Sequence, residues 1–296
     1  NIMQQDNPTS LRVPDPGVAD LLAQDARWQA WLDVEAALAR AEAELDMIPA
    51  AAATEITRKC DLALFDRARL TEGFQRTGHS LVPLIWELSR LCDGDAGNYV
   101  HWGATTQNIT QTGDLLQLRK VHRVFLRQLG AILVALADLA ERSKDMALPG
   151  RTHGQHAVPA TYGLKVAVWI DEFARHVERL EQCGPRVFQT MLGGAAGTAA
   201  SFGAQGLEVQ ARLAAHLDMP PMPVPARTIM DHLAEHIMAL ALLAASCGKF
   251  ANEIYTGMKQ EFGEVEEPIS AGTVGSSTMP QKRNPFTSQD IMAYAA

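Results

Sequence analysis

The chain has 296 residues, of which 47% are hydrophobic and 6% aromatic, and its 26 Lys and Arg against 34 Asp and Glu give a net charge of −8. This composition suits a globular protein that buries its own core, and the acidic balance without a basic block argues against a nucleic-acid partner. The longest apolar run, 237–245, falls short of the roughly 18 residues of a membrane span, and four cysteines far apart in sequence favour a reducing, cytoplasmic setting.

Helical patterns follow one another along the chain after an irregular start over residues 1–20, where Pro, Asn and Asp are frequent. Trp31, Leu38 and Leu45 recur at helical spacing and predict an amphipathic helix that ends near Pro49. Apolar residues three and four positions apart predict long, near-parallel helices over 113–148, 159–192 and 230–262.

The helix predicted over 230–262 is apolar on all sides in its middle, at 237–245. One subunit of this size rarely hides such a helix, so we infer that helices of several subunits pack together. The pair His232 and His236 on this helix is open to two interpretations, a metal site or ordinary buried histidines. No strand pattern stands out, and the glycine-rich stretch 193–198 lacks the spacing of a dinucleotide-binding loop, so the predicted fold is all-α with a turn there.

Three polar segments interrupt the helices and carry the candidate chemistry. Residues 101–108 precede a helix N-terminus and form either an anion site or an ordinary helix cap. Residues 150–156 include His153 and His156, whose spacing allows acid–base chemistry or metal ligation. Residues 275–285 form the polar tip of a long loop with glycines at its ends, which is typical of a functional lid or of disorder. We expect residues 263–279 of this loop to be mobile without a ligand.

The segment 275–285 matches the pattern G-S-S-x-M-P-x-K-x-N-P of the fumarase/aspartase (fumarate lyase) superfamily at every fixed position. The other two polar segments stand in that superfamily's order, and the resemblance covers the chain from about Trp28 onwards. Within the superfamily the chain is most similar to adenylosuccinate lyases and 3-carboxy-cis,cis-muconate cycloisomerases. The sequences around Trp31 and Tyr99 look cycloisomerase-like, whereas those around His79 and Arg151 look more like adenylosuccinate lyase.

The resemblance implies an all-α homotetramer whose central helices form a twenty-helix core. It implies a small helical N-terminal domain over 1–112 and a central long-helix bundle domain over 113–296, with three subunits contributing to each active site. Members act on a small-molecule dicarboxylate without a metal or organic cofactor. They continue well beyond the lid loop, so we expect the family fold to extend past Ala296.

The activity that the resemblance implies is reversible β-elimination from a succinyl-type substrate, with release of fumarate or a relative. Ser276 matches the base that removes the proton beside a carboxylate, and His153 matches the general acid for the leaving group. Lys282 and Asn284 match the residues that stabilise the doubly charged aci-carboxylate. The residues expected to bind the substrate are Thr105, Thr106, Asn108, Gln155, His156, His79 and Ser277.

Departures from the family pattern bear on the substrate. Adenylosuccinate lyases generally carry Asp in place of Asn108 and Gln-Arg-Asp-Arg near the segment 227–232, where this chain has Arg-Thr-Ile-Met-Asp-His. Bacterial cycloisomerases usually carry Trp in place of His153. The leading interpretation is therefore a succinyl lyase, and the alternatives are a lactonising 3-carboxy-cis,cis-muconate cycloisomerase and a non-catalytic structural relative. The intact acid–base residues weigh against the last.

Overall fold

The computed structural model of the chain describes residues 8–268, 272 and 274–296. Helices dominate it, which confirms the predicted mostly helical fold. The helices are α1 (Pro8–Arg12), α2 (Val18–Leu21), α3 (Gln24–Ala43), α4 (Ala50–Lys59), α5 (Arg67–Thr77), α6 (Val82–Leu91), α7 (Thr106–Ser143), α8 (Tyr162–Val187), α9 (Gly206–Leu217), α10 (Asp231–Gly257) and α11 (Phe286–Ala295). The strands are β1 (Ala147–Thr152) and β2 (Gln155–Thr161).

The three long helices predicted from apolar spacing are α7, α8 and α10, and their ends differ from the prediction by several residues. α7 begins at Thr106, so residues 106–108 of the polar segment predicted to precede it lie in its first turn. α8 runs through Pro185 in its last turn. α10 ends at Gly257, where the chain turns back so that the Glu264 N–H donates to the Gly257 carbonyl at 2.9 Å. A Cβ at Gly257 would lie 2.8 Å from the Val265 side chain, so this turn needs glycine.

The expectation that the chain has no strand is wrong for residues 147–161. β1 and β2 pair antiparallel, with Pro149 opposite Pro159 and a register shift between Gly150 and Arg151. Most of the hairpin is exposed, and neither strand shows the alternation of apolar and polar residues that marks a half-buried strand. Its prolines and its weak pattern made this segment look like an irregular link between two helices.

The chain divides into two compact units, which we call the first and the second unit. The second unit comprises residues 17–123 and 183–233, and α3 lies at its centre against α4 and α9. Leu32, Leu38, Ile56 and Leu213 are buried in its core. This packing explains why α3 carries buried residues on most of its surface.

The first unit comprises residues 1–16, 124–182 and 234–296, and it holds the greater part of α8 and α10. Val166, Trp169, Phe173, Leu243 and Phe250 form its core, with Phe250 edge-on to Trp169 at 4.8 Å between ring centroids. Aromatic pairs in this geometry add to the energy of burial. The core therefore fixes α8 against α10 within this unit.

Large apolar side chains on the outer faces of this unit stay exposed in the single chain. On α10, the exposed fraction is 63% for Ile237, 62% for Met238 and 51% for Leu242, and Val134 and Leu164 are similarly exposed on α7 and α8. α10 is also long and apolar enough to cross a membrane, a property that core helices of soluble proteins share. An apolar surface of this extent is typical of an interface.

Candidate active site

The N-terminus of α7 carries the segment predicted to bind a carboxylate. Thr105 and Thr106 are half-buried there. Asn108 is buried, and its Oδ1 accepts a hydrogen bond from the Thr105 N–H at 3.0 Å while its Nδ2 donates to Met191 Sδ at 3.0 Å. In the single chain Asn108 thus closes the turn that presents Thr105, and its direct contact with substrate stays a prediction.

The sequence patterns did not predict a carboxylate–histidine pair that lies beside this segment. Glu35 on α3 is 1% exposed, and its Oε1 lies 2.6 Å from Nδ1 of His101, a residue with φ 62°. Burial lowers the pKa of His101, but the charge of Glu35 and its hydrogen bond outweigh burial and raise the pKa above its ordinary value. Glu35 stands four residues after Trp31 and three before Leu38, so it lies on the apolar stripe of α3. A carboxylate on a buried stripe was the signal that could have revealed the pair.

His79 sits just before α6 and caps that helix. Its Nδ1 accepts hydrogen bonds from the backbone N–H groups of Leu81 at 3.2 Å and Val82 at 3.1 Å. An accepting Nδ1 carries no proton, so the neutral ring bears its proton on Nε2. The half-buried ring can therefore offer an N–H donor to a ligand oxygen while it caps the helix.

The predicted acid His153 lies at the tip of the β1–β2 hairpin. His153 and Gly154 form the two-residue turn, with φ of 51° and 71°. A tight two-residue hairpin turn closes when both of its residues have left-handed backbone angles. Histidine is among the residues that tolerate this conformation. His153, Gln155 and His156 are all exposed, so the hairpin presents three polar side chains away from its own unit's core.

Ion pairs tie the hairpin to the loop that follows α10. Arg151 Nη1 lies 2.5 Å from Glu264 Oε1, and Lys165 Nζ lies 3.3 Å from Glu264 Oε2 and 2.6 Å from Glu253 Oε1. Burial raises the pKa of Glu264, but hydrogen bonds from Arg151 and Lys165 outweigh burial and hold that pKa below its ordinary value. These groups line a cavity of about 390 Å³ together with the Phe262 ring, over which Arg151 lies.

The polar motif of the third segment is folded into consecutive turns around Met279. The Met279 N–H donates to Ser276 Oγ at 3.3 Å, and the Met279 carbonyl accepts from the Lys282 N–H at 3.0 Å. Ser276 is half-buried and Ser277 exposed. Lys282 and Asn284 line the same cavity of about 820 Å³, so the structure brings these two predicted charge-stabilising residues together.

Glu267, which precedes the loop that carries the motif, is hydrogen-bonded to the residues that follow this loop. Its carboxylate accepts hydrogen bonds from the N–H groups of Thr287 at 3.1 Å and Ser288 at 2.8 Å, and from Ser288 Oγ at 2.6 Å. A carboxylate is favourable at this position because it caps the N-terminus of α11. The expectation of a mobile lid over 263–279 falls partly on residues 269–271 and 273, which lie outside the described residues.

The predicted site residues fall into two groups. His79, Thr105, Thr106 and Asn108 belong to the second unit, and the hairpin and loop residues belong to the first. Within the described residues, no set of three His, Cys, Asp or Glu side chains is arranged to hold a metal ion, and His232 and His236 join no such set. Burial lowers the pKa of His236.

The sequence profile of a protein family described as "Lyase" matches residues 11–296. The N-acetyl-S-(2-succino)cysteine lyase of Enterococcus italicus is 43% identical over 88% of this chain and 57% of its own length. The adenylosuccinate lyase of Methanothermobacter thermautotrophicus is 41% identical over 98% of this chain and 65% of its own length. The chain thus spans about three-fifths of the length of these curated relatives.

Two solved structures share the fold. The fumarate lyase from Mesorhizobium sp. BNC1 superposes with a TM-score of 0.86 at 38% identity, over 95% of this chain and 63% of that one. The 3-carboxy-cis,cis-muconate lactonizing enzyme from Pseudomonas putida superposes with a TM-score of 0.87 at 37% identity, over the same shares. The fold therefore occurs both in a protein described as a fumarate lyase and in one described as a muconate lactonizing enzyme.

Proposed function

The chain belongs to the fumarate lyase superfamily, and from that membership we propose that it catalyses reversible β-elimination from a succinyl-type dicarboxylate, with release of fumarate. The observation that carries this choice is His153, an imidazole exposed at the tip of a hairpin. Elimination needs an acid for the departing atom, and an imidazole suits that role near neutral pH. Lactonisation joins two parts of one molecule and has no leaving group to protonate.

Ser276 is the proposed base. As an alkoxide, it removes the proton from the carbon next to a substrate carboxylate, and the bond pair passes into an aci-carboxylate. A serine hydroxyl is a weak acid, so its alkoxide needs donors, and the Met279 N–H at 3.3 Å from Ser276 Oγ is one of them.

Lys282 and Asn284 are the proposed stabilisers of the aci-carboxylate. Both line one cavity, which supports a joint role at one developing charge. As that charge returns to carbon, the bond to the leaving atom breaks, and His153 supplies the proton that the leaving atom takes. Fumarate and the protonated leaving group are the products.

The remaining predicted residues bind the substrate in this proposal. Thr105 and Thr106 offer hydroxyl donors at the N-terminus of α7, a favourable place for a carboxylate. Asn108 holds the turn of Thr105, and the Nε2–H of His79 is a further donor. Gln155, His156 and Ser277 contribute from the hairpin and the loop.

The atom that links the succinyl group to its leaving group is sulfur or nitrogen in the proposed substrates. The two curated relatives described above are named for a succinyl thioether and a succinyl amine. The second candidate function is the muconate lactonisation named for the Pseudomonas putida structure. The histidine at position 153, where bacterial cycloisomerases usually carry Trp, favours the lyase.

We also propose that the protein is a soluble, cytoplasmic homotetramer that uses no cofactor. The exposed apolar faces of α7, α8 and α10 support assembly, because burial of Ile237, Met238 and Leu242 between subunits removes them from water. The division into an N-terminal domain over 1–112 and a bundle domain over 113–296 stays a prediction.

The test is a substrate comparison with the purified protein. N-acetyl-S-(2-succino)cysteine, adenylosuccinate and 3-carboxy-cis,cis-muconate are supplied separately, and fumarate or lactone formation is followed by ultraviolet absorbance. We expect fumarate from a succinyl substrate, loss of that activity in Ser276→Ala, and retention in the matched loop variant Thr278→Ala. Lactone formation without fumarate would replace the proposal with the second candidate.

A further inference from the structure

An arginine outside the predicted site is held rigidly at the wall of a cavity beside α7. Arg227 Nε donates to Gln107 Oε1 at 3.1 Å, and its Nη1 donates to the Ala195 carbonyl at 2.7 Å. Gln107 also donates to Arg227, because its Nε2 donates to the Arg227 carbonyl at 2.8 Å. The same Nε2 donates to Gln111 Oε1 at 3.0 Å. This reciprocal pairing fixes the guanidinium against the first turn of α7.

The charge of Arg227 has no acidic partner in the part of the chain that the structure describes. Within the described residues, no carboxylate lies at ion-pair distance from its guanidinium. Arg27, Arg151 and Arg212 differ, because each has a carboxylate oxygen within 3.0 Å. The two acceptors that hold Arg227 are neutral, so they orient the cation without cancelling its charge.

Arg227 lines a cavity of about 450 Å³, and it is the one charged residue among the lining residues described. The other walls are small or uncharged and come from Ala195, Ala196, Pro225 and Thr228. A volume of this order suits a small organic ligand. One fixed cation in a small uncharged cavity is suited to one anionic group.

The glycine-rich stretch 193–198 forms one wall of this cavity. A Cβ at Gly197, where φ is 79°, would lie 2.7 Å from the Pro225 carbonyl, and a Cβ at Gly193 would lie 2.8 Å from Pro225 Cβ. The glycines therefore allow the stretch to pack directly on the segment that precedes Arg227. This packing gives the stretch a role that its sequence did not reveal.

We propose that Arg227 binds a carboxylate on the departing half of the substrate, an inference that rests on the proposed function. The proposed function already places donors for the succinyl carboxylates at Thr105, Thr106, Lys282 and Asn284. A further cation next to Thr106 and Gln107 therefore serves a further anionic group. The planar guanidinium matches a carboxylate with two parallel hydrogen bonds.

The test is calorimetric binding to the purified protein, with N-acetyl-S-methylcysteine and its carboxamide as probes. These two molecules differ only in the carboxylate. We expect the acid to bind about tenfold or more tightly than the amide, as befits a charge-assisted hydrogen bond. Arg227→Gln should remove this preference, Arg227→Lys should keep part of it, and the matched surface variant Arg212→Gln should leave it unchanged.

The controls separate this inference from the proposed function. Equal binding of acid and amide by the unaltered protein, or an unchanged preference in Arg227→Gln, overturns the role of Arg227. Adenosine monophosphate that binds through Arg227 in place of the acid assigns the site to a phosphate and overturns the carboxylate. Fumarate should bind Arg227→Gln as tightly as it binds the unaltered protein. Loss of fumarate binding in this variant would show that Arg227 contacts the succinyl half of the substrate, which overturns the inference. An intact acid preference without fumarate production from any succinyl substrate refutes the proposed function instead.

Discussion

Replacing Glu42 with glutamine should stabilise the protein at neutral pH, by an amount that grows as the pH rises. Glu42 on α3 has no exposed surface, and neither of its carboxyl oxygens has a hydrogen-bond partner in the described part of the chain. Burial, with a smaller contribution from the charge of Glu35, raises the pKa of Glu42 to about 9. The folded protein therefore keeps this carboxyl protonated at neutral pH.

The direction in which the free energy of unfolding changes with pH follows from the protonation of Glu42 in the folded and the unfolded chain. In the unfolded chain the carboxyl has a pKa of about 4.3 and is ionised above it, whereas in the folded chain it binds a proton up to about pH 9. Between these values the folded state holds one more proton than the unfolded state, so raising the pH destabilises it. The free energy of unfolding falls by about 1.4 kcal/mol per pH unit, or roughly 3–4 kcal/mol between the unfolded pKa and neutrality.

The assay is denaturant unfolding of the original protein and Glu42→Gln at equal concentration, at about pH 5, 6, 7 and 8. The buried amide adds a cost of its own, but that cost does not change with pH. The difference in free energy of unfolding should therefore grow by about 1.4 kcal/mol per unit in favour of the variant. Glu44→Gln is the matched control, because hydrogen bonding to Arg212 lowers the pKa of the exposed Glu44. Its carboxyl is therefore ionised in both the folded and the unfolded chain at pH 5–8, and the difference for this variant should stay constant across that range. A constant difference for Glu42→Gln across this range would refute the reasoning.

Three further predictions concern the proposed site and assembly. His153→Asn should keep the left-handed hairpin turn and the melting temperature but slow turnover by about 10²- to 10⁴-fold, measured as kcat; near-original kcat would contradict the role of general acid. Glu264→Gln should lower the free energy of unfolding by about 1–2 kcal/mol at neutral pH, as measured by denaturant midpoints. This difference should vanish in acid, because Glu264 of the original protein becomes protonated as the pH falls through its lowered pKa. Leu242→Glu should dissociate the proposed tetramer, as measured by light scattering, whereas Leu207→Glu on the exposed face of α9 should not. A tetramer that survives the first change would exclude the α10 face from the interface.

Local patterns in the amino-acid sequence are enough to identify the long helices and the family. Apolar residues three and four positions apart along 113–148, 159–192 and 230–262 can form one continuous face only in a helix, and α7, α8 and α10 confirm them. The motif over 275–285 is long enough to mark a superfamily by itself, and the match over residues 11–296 confirms it. Both signals are local, because each depends on residues close together in the chain.

The hairpin and the partners of buried polar groups were decided by tertiary structure. β1 and β2 lack an alternating pattern, because both strands are largely exposed and carry prolines, so no local rule separates them from a loop. Asn108 was predicted from its place in a motif, and only packing shows its amide engaged by Thr105 and Met191.

The contacts that give the site its charges join residues far apart in the sequence. Glu35 meets His101 across 66 positions, Arg151 meets Glu264 across 113, and Gln107 meets Arg227 across 120. Single-sequence periodicity reports which face of an element is buried, but it carries no information about which distant element covers that face. The fold therefore decides which carboxylates are paired, which stay protonated, and which basic side chains have a carboxylate within reach.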